Sequence, residues 1–294
     1  MRQMKIYSAI ALIAREGSIR KAAEFLTISP SALNRQLLAL EDELGVQLFE
    51  RSATGVRLSA AGEVYHKHFL EQIASFRRAR EVVAAMEGLR FGRVRLVVSS
   101  DLAAAFAPAE IAAFQTAHPG VSVAITRVAH DRFAAPLASG EADLALVVQP
   151  VFQDGAETLA AAEAPLVGIV PAGSDPGPLR AEDFLAHDLI LPPEGTGLRL
   201  LVDLFFKQRR LAPRATLETE DPAAPAELGG RATLQLRLRA DVSEAWLARA
   251  GAAARPIQGG PRARIALARA EGRSLPVAAA RLAAQLATRL QAME

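Results

Sequence analysis

Three stop-and-start signals crowd into the first 45 residues of this 294-residue chain, and they leave room for little but three short helices joined by tight turns. Met4, Tyr7, Ala11, Ile13 and Ala14 recur at helical spacing, and Gly17 stops that helix. Ser18 can cap the next one, Ile19 to Leu26, which turns Ala22, Ala23 and Leu26 inward; alanines there let two helices approach closely. After the turn Thr27-Ile28, Ser29 offers a hydroxyl N-cap and Pro30 takes the first helical position, where a missing N–H costs nothing. The third helix then runs to about Leu44, burying Leu33, Leu37, Leu40 and Leu44, with Gly45 as a natural C′ residue. Such an arrangement is a helix-turn-helix.

Val46 to Arg51 and Val56 to Leu58 read as two short extended pieces around the turn Ser52 to Gly55, which makes a wing. Ser59 caps a long helix from Ala60 to about Leu89, on which Phe69, Ile73, Phe76 and Val83 form an apolar stripe that requires a partner. Arg90-Phe91-Gly92 ends it as a hinge. Arg93 to Val98 is the first clear strand; strand-like runs at 121–128, 142–148, 166–170 and 188–191 then alternate with helix-like runs at about 103–117, 131–139 and 198–210, the order of βαβ units and a mostly parallel sheet. The chain divides at 1–58, 59–91 and 92–294.

Net charge is only +2, but residues 1–90 carry 13 Lys and Arg against 10 Asp and Glu, leaving 21 against 22 for the remainder. The basic excess sits with the helix-turn-helix, weak support for a polyanionic partner. With no cysteine there is neither a disulfide framework nor a cysteine-ligated metal site, which suits a reducing cytosol. The basic start Met1 to Lys5, followed by apolar Ile6 to Ala14, imitates a signal peptide; charged Arg15, Glu16, Arg20, Lys21 and Glu24 and continued helical spacing argue against one. No run approaches the ~18 uncharged apolar residues of a membrane span, so a cytoplasmic protein is expected.

In a helix-turn-helix the second helix of the motif enters the major groove of DNA with its N-terminal residues against base edges. Here that helix begins at Ser29-Pro30 and offers Ser31, Asn34 and Arg35, types suited to base and phosphate contacts. Arg35 could fork onto guanine and Asn34 onto adenine. Arg51 and Arg57 flank the wing, where guanidinium groups hold phosphate or reach the minor groove, and Arg20 and Lys21 are similar candidates for backbone phosphate. The same residues would equally make an ordinary solvated surface.

Ser18-Ile19-Arg20-Lys21-Ala22-Ala23, Leu26, Ser29 to Leu37, Leu40 to Gly45, Leu48-Phe49-Glu50-Arg51 and Leu58-Ser59-Ala60-Ala61-Gly62 closely resemble LysR-type transcriptional regulators, with continuous spacing over about 45 residues. That family often has Gln where this chain has Pro30 and Ser where it has Asn34, so the resemblance carries over no operator preference at those positions. It implies an α/β protein with an N-terminal all-α winged helix-turn-helix. It also implies a linker helix that pairs two subunits into a dimer or tetramer, and an effector domain of two periplasmic-binding-protein-like subdomains, approximately 92–162 plus 265–294, and 163–264. The implied partners are a double-stranded DNA operator, a small-molecule effector and RNA polymerase, with no membrane.

Open α/β sheets bind ligands at the carboxyl ends of their strands, against helix N-termini. Those ends carry Ser99-Ser100-Asp101, His130-Asp131 and Val148-Gln149-Pro150, and the resemblance places the cleft near them. Leu191 to Leu198 leads from strand to helix with Gly195, Thr196 and Gly197; it is no nucleotide fingerprint, because Leu200 takes the third glycine position. The candidate effector residues are therefore Ser99, Ser100, Asp101, His130, Gln149, Thr196 and Gly197, though serine and threonine before a helix are also ordinary caps. Asp221 to Pro256 departs from the family's usual glycine-centred strand, while alternation at 232–238 still predicts a strand with Thr233, Gln235 and Arg237 on one face.

The five histidines, His66, His68, His118, His130 and His187, form no clustered site, and no nucleophile elbow, zinc-protease motif or P-loop is present. Neither an enzyme, a metal nor a cofactor is expected. An exported solute-binding protein would suit the α/β half alone, but residues 1–89 would have no role in it.

Overall fold

The computed structural model describes residues 2–52, 55–86, 92–151, 154–175, 177–221 and 233–293. It separates into two units, Met1–Val83 and Ala84–Glu294. In the first, α1 (Arg2–Glu16), α2 (Ile19–Phe25) and α3 (Pro30–Leu44) follow the punctuation of the sequence closely. The Ser18 hydroxyl accepts from the Lys21 N–H and the Ser29 hydroxyl from the Ala32 N–H, so both expected caps form. Gly45 ends α3 with φ +68°, a left-handed conformation that costs a residue with Cβ about 1–2 kcal/mol.

Ile10, Ile13, Ala22, Ala23, Leu33, Leu37, Leu48 and Phe49 close this unit's core. Leu40 and Leu44 are half-buried at its margin. The wing is β1 (Phe49–Ser52) against β2 (Gly55–Leu58), antiparallel, with Glu50 opposite Arg57 and Arg51 opposite Val56. It is tied down at both ends. One Glu41 carboxylate oxygen accepts from the N–H groups of Leu48 (2.7 Å) and Phe49 (3.2 Å), and the Val56 N–H donates to the Gly17 carbonyl at 3.0 Å.

Helix α4 spans Ala60–Met86; its expected end near Leu89 and the hinge residues Arg90 and Phe91 lie outside the described residues, while Gly92 of that hinge already begins a strand. Ser59 caps it, accepting from the Gly62 N–H and donating to the Gln47 carbonyl at 2.6 Å. The stripe on α4 is divided. Phe69 is 2% exposed and stacks on Tyr7 at 4.1 Å, so it belongs to its own chain's core and leaves no ring surface for the expected pairing. Phe76 is 44% exposed and Val83 61%, with Ile73 half-buried between.

The second unit runs β3 (Gly92–Val98), α5 (Phe106–Ala117), β4 (Val121–Arg127), α6 (Ala134–Ser139), β5 (Leu144–Val148), β6 (Ala156–Pro171), α7 (Asp183–Ala186), β7 (Asp188–Leu191), α8 (Gly197–Gln208), β8 (Ala215–Glu218), β9 (Thr233–Leu238), α9 (Glu244–Ala250), β10 (Ala252–Pro256), β11 (Arg262–Ala270) and α10 (Val277–Gln291). Its strands connect in the order β4-β3-β5-β11-β6-β9-β7-β8, with β10 also on β6. The sheet is mixed rather than mostly parallel. Pairs β3–β4, β3–β5, β7–β8 and β7–β9 are parallel, whereas β5–β11, β11–β6, β6–β9 and β6–β10 are antiparallel.

The expected strand 166–170 is thus one end of a 16-residue strand. Its first part pairs with β11 and its last with β9 and β10, so β6 belongs to two half-sheets, each with helices on its faces. The expected face Thr233, Gln235 and Arg237 on β9 is buried, and so are its alternate residues.

Gly62 sits at the first turn of α4, where a Cβ would collide with the Leu48 carbonyl, a backbone atom that cannot turn aside. Gly62→Ala should cost the first unit about 2 kcal/mol or more, read as a lower urea midpoint for the transition that involves Tyr7 and Tyr65.

Candidate functional site

On the exposed face of α3, Ser31, Arg35 and Gln36 project from the first two turns, and Ser29 and Pro30 at its start are exposed as well. Asn34 is half-buried, and its Oδ1 accepts from the Arg51 guanidinium at 2.7 Å. These two candidates therefore hold each other, joining the wing to α3. Arg57 is likewise engaged: its guanidinium bonds the Glu50 carboxylate across the strand pair, at 2.6 Å for the closest approach. Arg20 lies 3.4 Å from Glu24 one turn on, an exposed pair of little energetic worth, and Lys21 is exposed beside it. Sequence alone predicted the residue types but not these pairings.

The second unit contains a cavity of about 340 Å³ at the carboxyl ends of β3 and β4, facing the N-terminus of α8. Ser99, Ser100, Asp101, His130, Thr196 and Gly197 line it, together with Arg127, Val128, Ala129, Gly195 and Glu220. Gln149 stands just behind. It takes φ +49°, its N–H donates to the Arg264 carbonyl at 2.7 Å, and its Cβ packs beside Gly197.

The lining residues differ in what they leave for a ligand. The Ser99 hydroxyl accepts from the Val148 N–H at 3.0 Å, and the Thr196 hydroxyl accepts from the Arg199 N–H while donating to the Pro193 carbonyl. Both build the cavity wall. Gly197 allows close approach: a Cβ would lie 2.8 Å from the Val148 carbonyl and 3.2 Å from the His130 Cβ, so only glycine brings the start of α8 this near the ends of β4 and β5. The first N–H groups of α8 have no partner inside the helix, and the helix dipole adds partial positive charge there. Arg199 fixes that end, bonding Asp203 (2.9 Å), Glu218 (2.8 Å) and the Pro192 carbonyl (2.9 Å). His130 is 8% exposed, and its Nδ1 is buried with no hydrogen-bond partner.

Asp101 is the chemically unusual member. Burial pushes its carboxyl up to about 7, with the charges of Glu220 and Asp241 adding to the rise and Arg237 opposing it. Asp241 lies behind it, accepting from the Ala104, Ala105 and Phe106 N–H groups at 3.3, 2.7 and 2.8 Å and from Arg237 at 2.9 Å. Sequence reading missed Glu220 and Arg127. Both lie at carboxyl ends of strands, β8 and β4, and only the strand order shows that these ends face one cavity.

Among the described residues no three His, Cys, Asp or Glu side chains are grouped as a metal site, and no helix is long and apolar enough to cross a membrane.

Two family models match the chain. The bacterial regulatory helix-turn-helix protein, lysR family, covers residues 2–63, and the LysR substrate binding domain covers 87–291. Among curated relatives, the RuBisCO operon transcriptional regulator of Allochromatium vinosum is 33% identical over 71% of this chain and 69% of its own length. The HTH-type transcriptional regulator CbbR of Xanthobacter flavus is 27% identical over 84% and 72%. Among solved structures, a variant of full-length OxyR from Pseudomonas aeruginosa superposes with a TM-score of 0.70 at 20% identity, covering 99% of this chain and 95% of that one. Full-length CbnR complexed with its target DNA gives 0.64 at 23% identity over 98% of both chains, which shows the shared fold.

An unfolded aspartate titrates near 3.8 and folded Asp101 near 7, so between those values the folded chain holds one proton more. Stability from this group is intact at low pH, falls as pH rises from about 4 to 7, and stays reduced above. Asp101→Asn removes that dependence. The variant's melting temperature relative to the parent should therefore rise between pH 5 and pH 8 by at least about 2 °C, the shift that ~1 kcal/mol makes in a domain of this size. A constant difference would mean that Asp101 ionises normally.

Proposed function

The chain belongs to the LysR family of bacterial helix-turn-helix regulators, and on that ground we propose a division of work among its residues. As a family member it is a DNA-binding transcriptional regulator with an effector-binding domain, not an enzyme. We assign DNA binding to 1–58, subunit pairing to 59–91 and effector sensing to 92–294, with the cytoplasm as the place of action and RNA polymerase as the partner of the DNA-bound form.

In this reading α3 lies in the major groove. Arg35 forks onto a base and Ser31 contacts a base edge or phosphate beside it, while Ser29 and Pro30 set where the helix begins. Asn34 reads less freely than its type suggests, because Arg51 holds its oxygen. Arg51 and Arg57 then brace the wing, and Arg20 with Lys21 meets backbone phosphate. The observation that supports this assignment most is the exposure of Arg35 on the second turn of α3 with no ion-pair or hydrogen-bond partner among the described residues, beside neighbours that are paired.

Two copies pair through the exposed part of α4, where Ile73, Phe76 and Val83 continue the apolar stripe beyond Phe69. An exposed phenylalanine and valine on one helix favour a second apolar face. The dimer then meets two half-sites about one helical turn of DNA apart, or multiples of that. The cavity at Ser99, Ser100, Asp101, His130 and Gly197, with Gln149 and Thr196 in its walls, takes the effector, which shifts the populations of the two DNA-bound states.

The DNA flanking the gene for this chain is the first probe for a gel shift with competitor and a salt series, and a RuBisCO operon promoter is the second, prompted by the relatives named for that operon. Arg35→Ala should cost roughly 1–3 kcal/mol on the specific site and relax the preference at one base pair. Equal affinity and unchanged sequence preference would remove Arg35 from base reading. Phe76→Asp should shift sedimentation towards the monomer; a variant that stays fully dimeric would place the pairing surface elsewhere.

A further inference from the structure

The 340 Å³ cavity adjoins a much smaller one of about 20 Å³, and both are lined by Ser100, Asp101 and Glu220. The smaller one reaches Thr219, Gln235 and Arg237. Gln235 is 3% exposed; its Nε2 donates to the Asp221 carbonyl at 3.0 Å, which fixes the amide orientation, and its Oε1 is buried with no hydrogen-bond partner. The junction of the two cavities therefore gathers hydrogen-bond acceptors: two carboxyl groups and an amide oxygen.

Positive charge near them is committed or solvent-exposed. Arg237 is bonded to Asp241 at 2.9 Å and lies over the Trp246 ring at 5.6 Å, while Arg127, at the end of the strand beside β3, is exposed and is not among the charges that shift Asp101. A carboxylate in such a place is stabilised by a nearby opposite charge or takes up a proton instead.

We propose that the effector carries a cationic nitrogen, an ammonium or amidinium group, that lies between Asp101 and Glu220 and points its N–H groups towards Gln235 Oε1. This rests on the reading of the cavity as the effector site. The rest of the larger cavity, with the positive end of the α8 dipole, the buried Nδ1 of His130 and Arg127, suits an acceptor or anionic group on the same compound. A small zwitterion uses both sets of groups. A dianion such as a dicarboxylate would set like charge against Glu220 and, above neutrality, against Asp101.

Because Asp101 holds a proton at low pH, a cation must displace that proton to bind. Binding strengthens as pH rises from 6 to 8 and releases a proton near pH 7. Glu220, Asp241 and Arg237 set the titration of Asp101, and Arg127 and His130 line the same cavity.

Calorimetric titration of the full chain with putrescine, L-ornithine, succinate and inorganic phosphate, each at pH 6 and pH 8, tests this. Putrescine or ornithine should give saturable heat, severalfold and up to about tenfold tighter at pH 8 than at pH 6, as one carboxyl titrating near 7 requires. Its size at pH 7 should depend on the ionisation enthalpy of the buffer as release of a proton requires. Glu220→Gln should weaken binding at least tenfold at pH 8 without loss of thermal stability. Asp101→Asn should abolish proton release, which separates Asp101 from any contribution of His130. Binding of succinate or phosphate but not of the amines, tightened by Glu220→Gln, would overturn the cationic class while leaving the cavity as the effector site. If no compound of either charge gave saturable heat or moved the His130 ring resonances, the proposal and the assignment of the cavity would fall together.

Discussion

The carboxylate of Asp241 is the point on which the sensing unit turns. It comes from the segment just after β9, yet it accepts three backbone N–H groups at the start of α5, some 135 residues earlier in the chain, and one guanidinium N–H from Arg237. A helix start leaves four N–H groups without partners, and a carboxylate there satisfies donors and complements the dipole at once. Here that cap comes from the other half-sheet, so one interaction closes α5 and holds β9 against the helix that follows β3. Burial pushes the Asp241 carboxyl up, with the donors around it working against that rise. Its charge is also one of those that keep Asp101 protonated near neutrality. Structure and cavity chemistry are coupled through this one side chain.

The head relies on a similar economy. Glu41 on α3 accepts from the first two N–H groups of the wing, Arg51 on the wing donates to Asn34 on α3, and Ser59 ties α4 back to Gln47. Each bond is short-range in space but joins separate elements, so α3, wing and α4 form a single surface. The consequence for recognition is selective. Asn34, Arg51 and Arg57 are held by partners within the surface, and Ser31 shares a hydrogen bond with Ser29, while Arg35 stands exposed.

The cavity combines two environments that rarely share one small volume. One is the start of α8, brought close by Gly197 and clamped by Arg199, with the partial positive charge of a helix N-terminus. The other gathers Asp101, Glu220 and Gln235.

Local chemistry was legible in the sequence wherever it acts within a few residues. The caps Ser18, Ser29, Ser59 and Thr196, the stops Gly17 and Gly45, the limits of α1 to α3 and the start of α4 follow from short-range hydrogen bonding and steric rules, as do the strand-end serines that line the cavity. What the linear pattern could not carry is direction and partnership. The alanine-rich start of β6 shows no strand signal of its own, and it is a strand because β11 pairs with it; the antiparallel centre of the sheet follows from that pairing. Phe69 and Phe76 are seven residues apart on one helix, yet Tyr7 and Tyr65 cover one ring and leave the other in solvent. Glu220 looks like any residue after a strand until the strand order sets it against Asp101, and Asp241 looks like a loop carboxylate until α5 arrives. The sequence by itself determined the elements and the family, because caps, turns and periodicity are written in neighbours. Only the tertiary structure decided which charges meet, because desolvation and Coulomb interaction depend on distance in space and not along the chain.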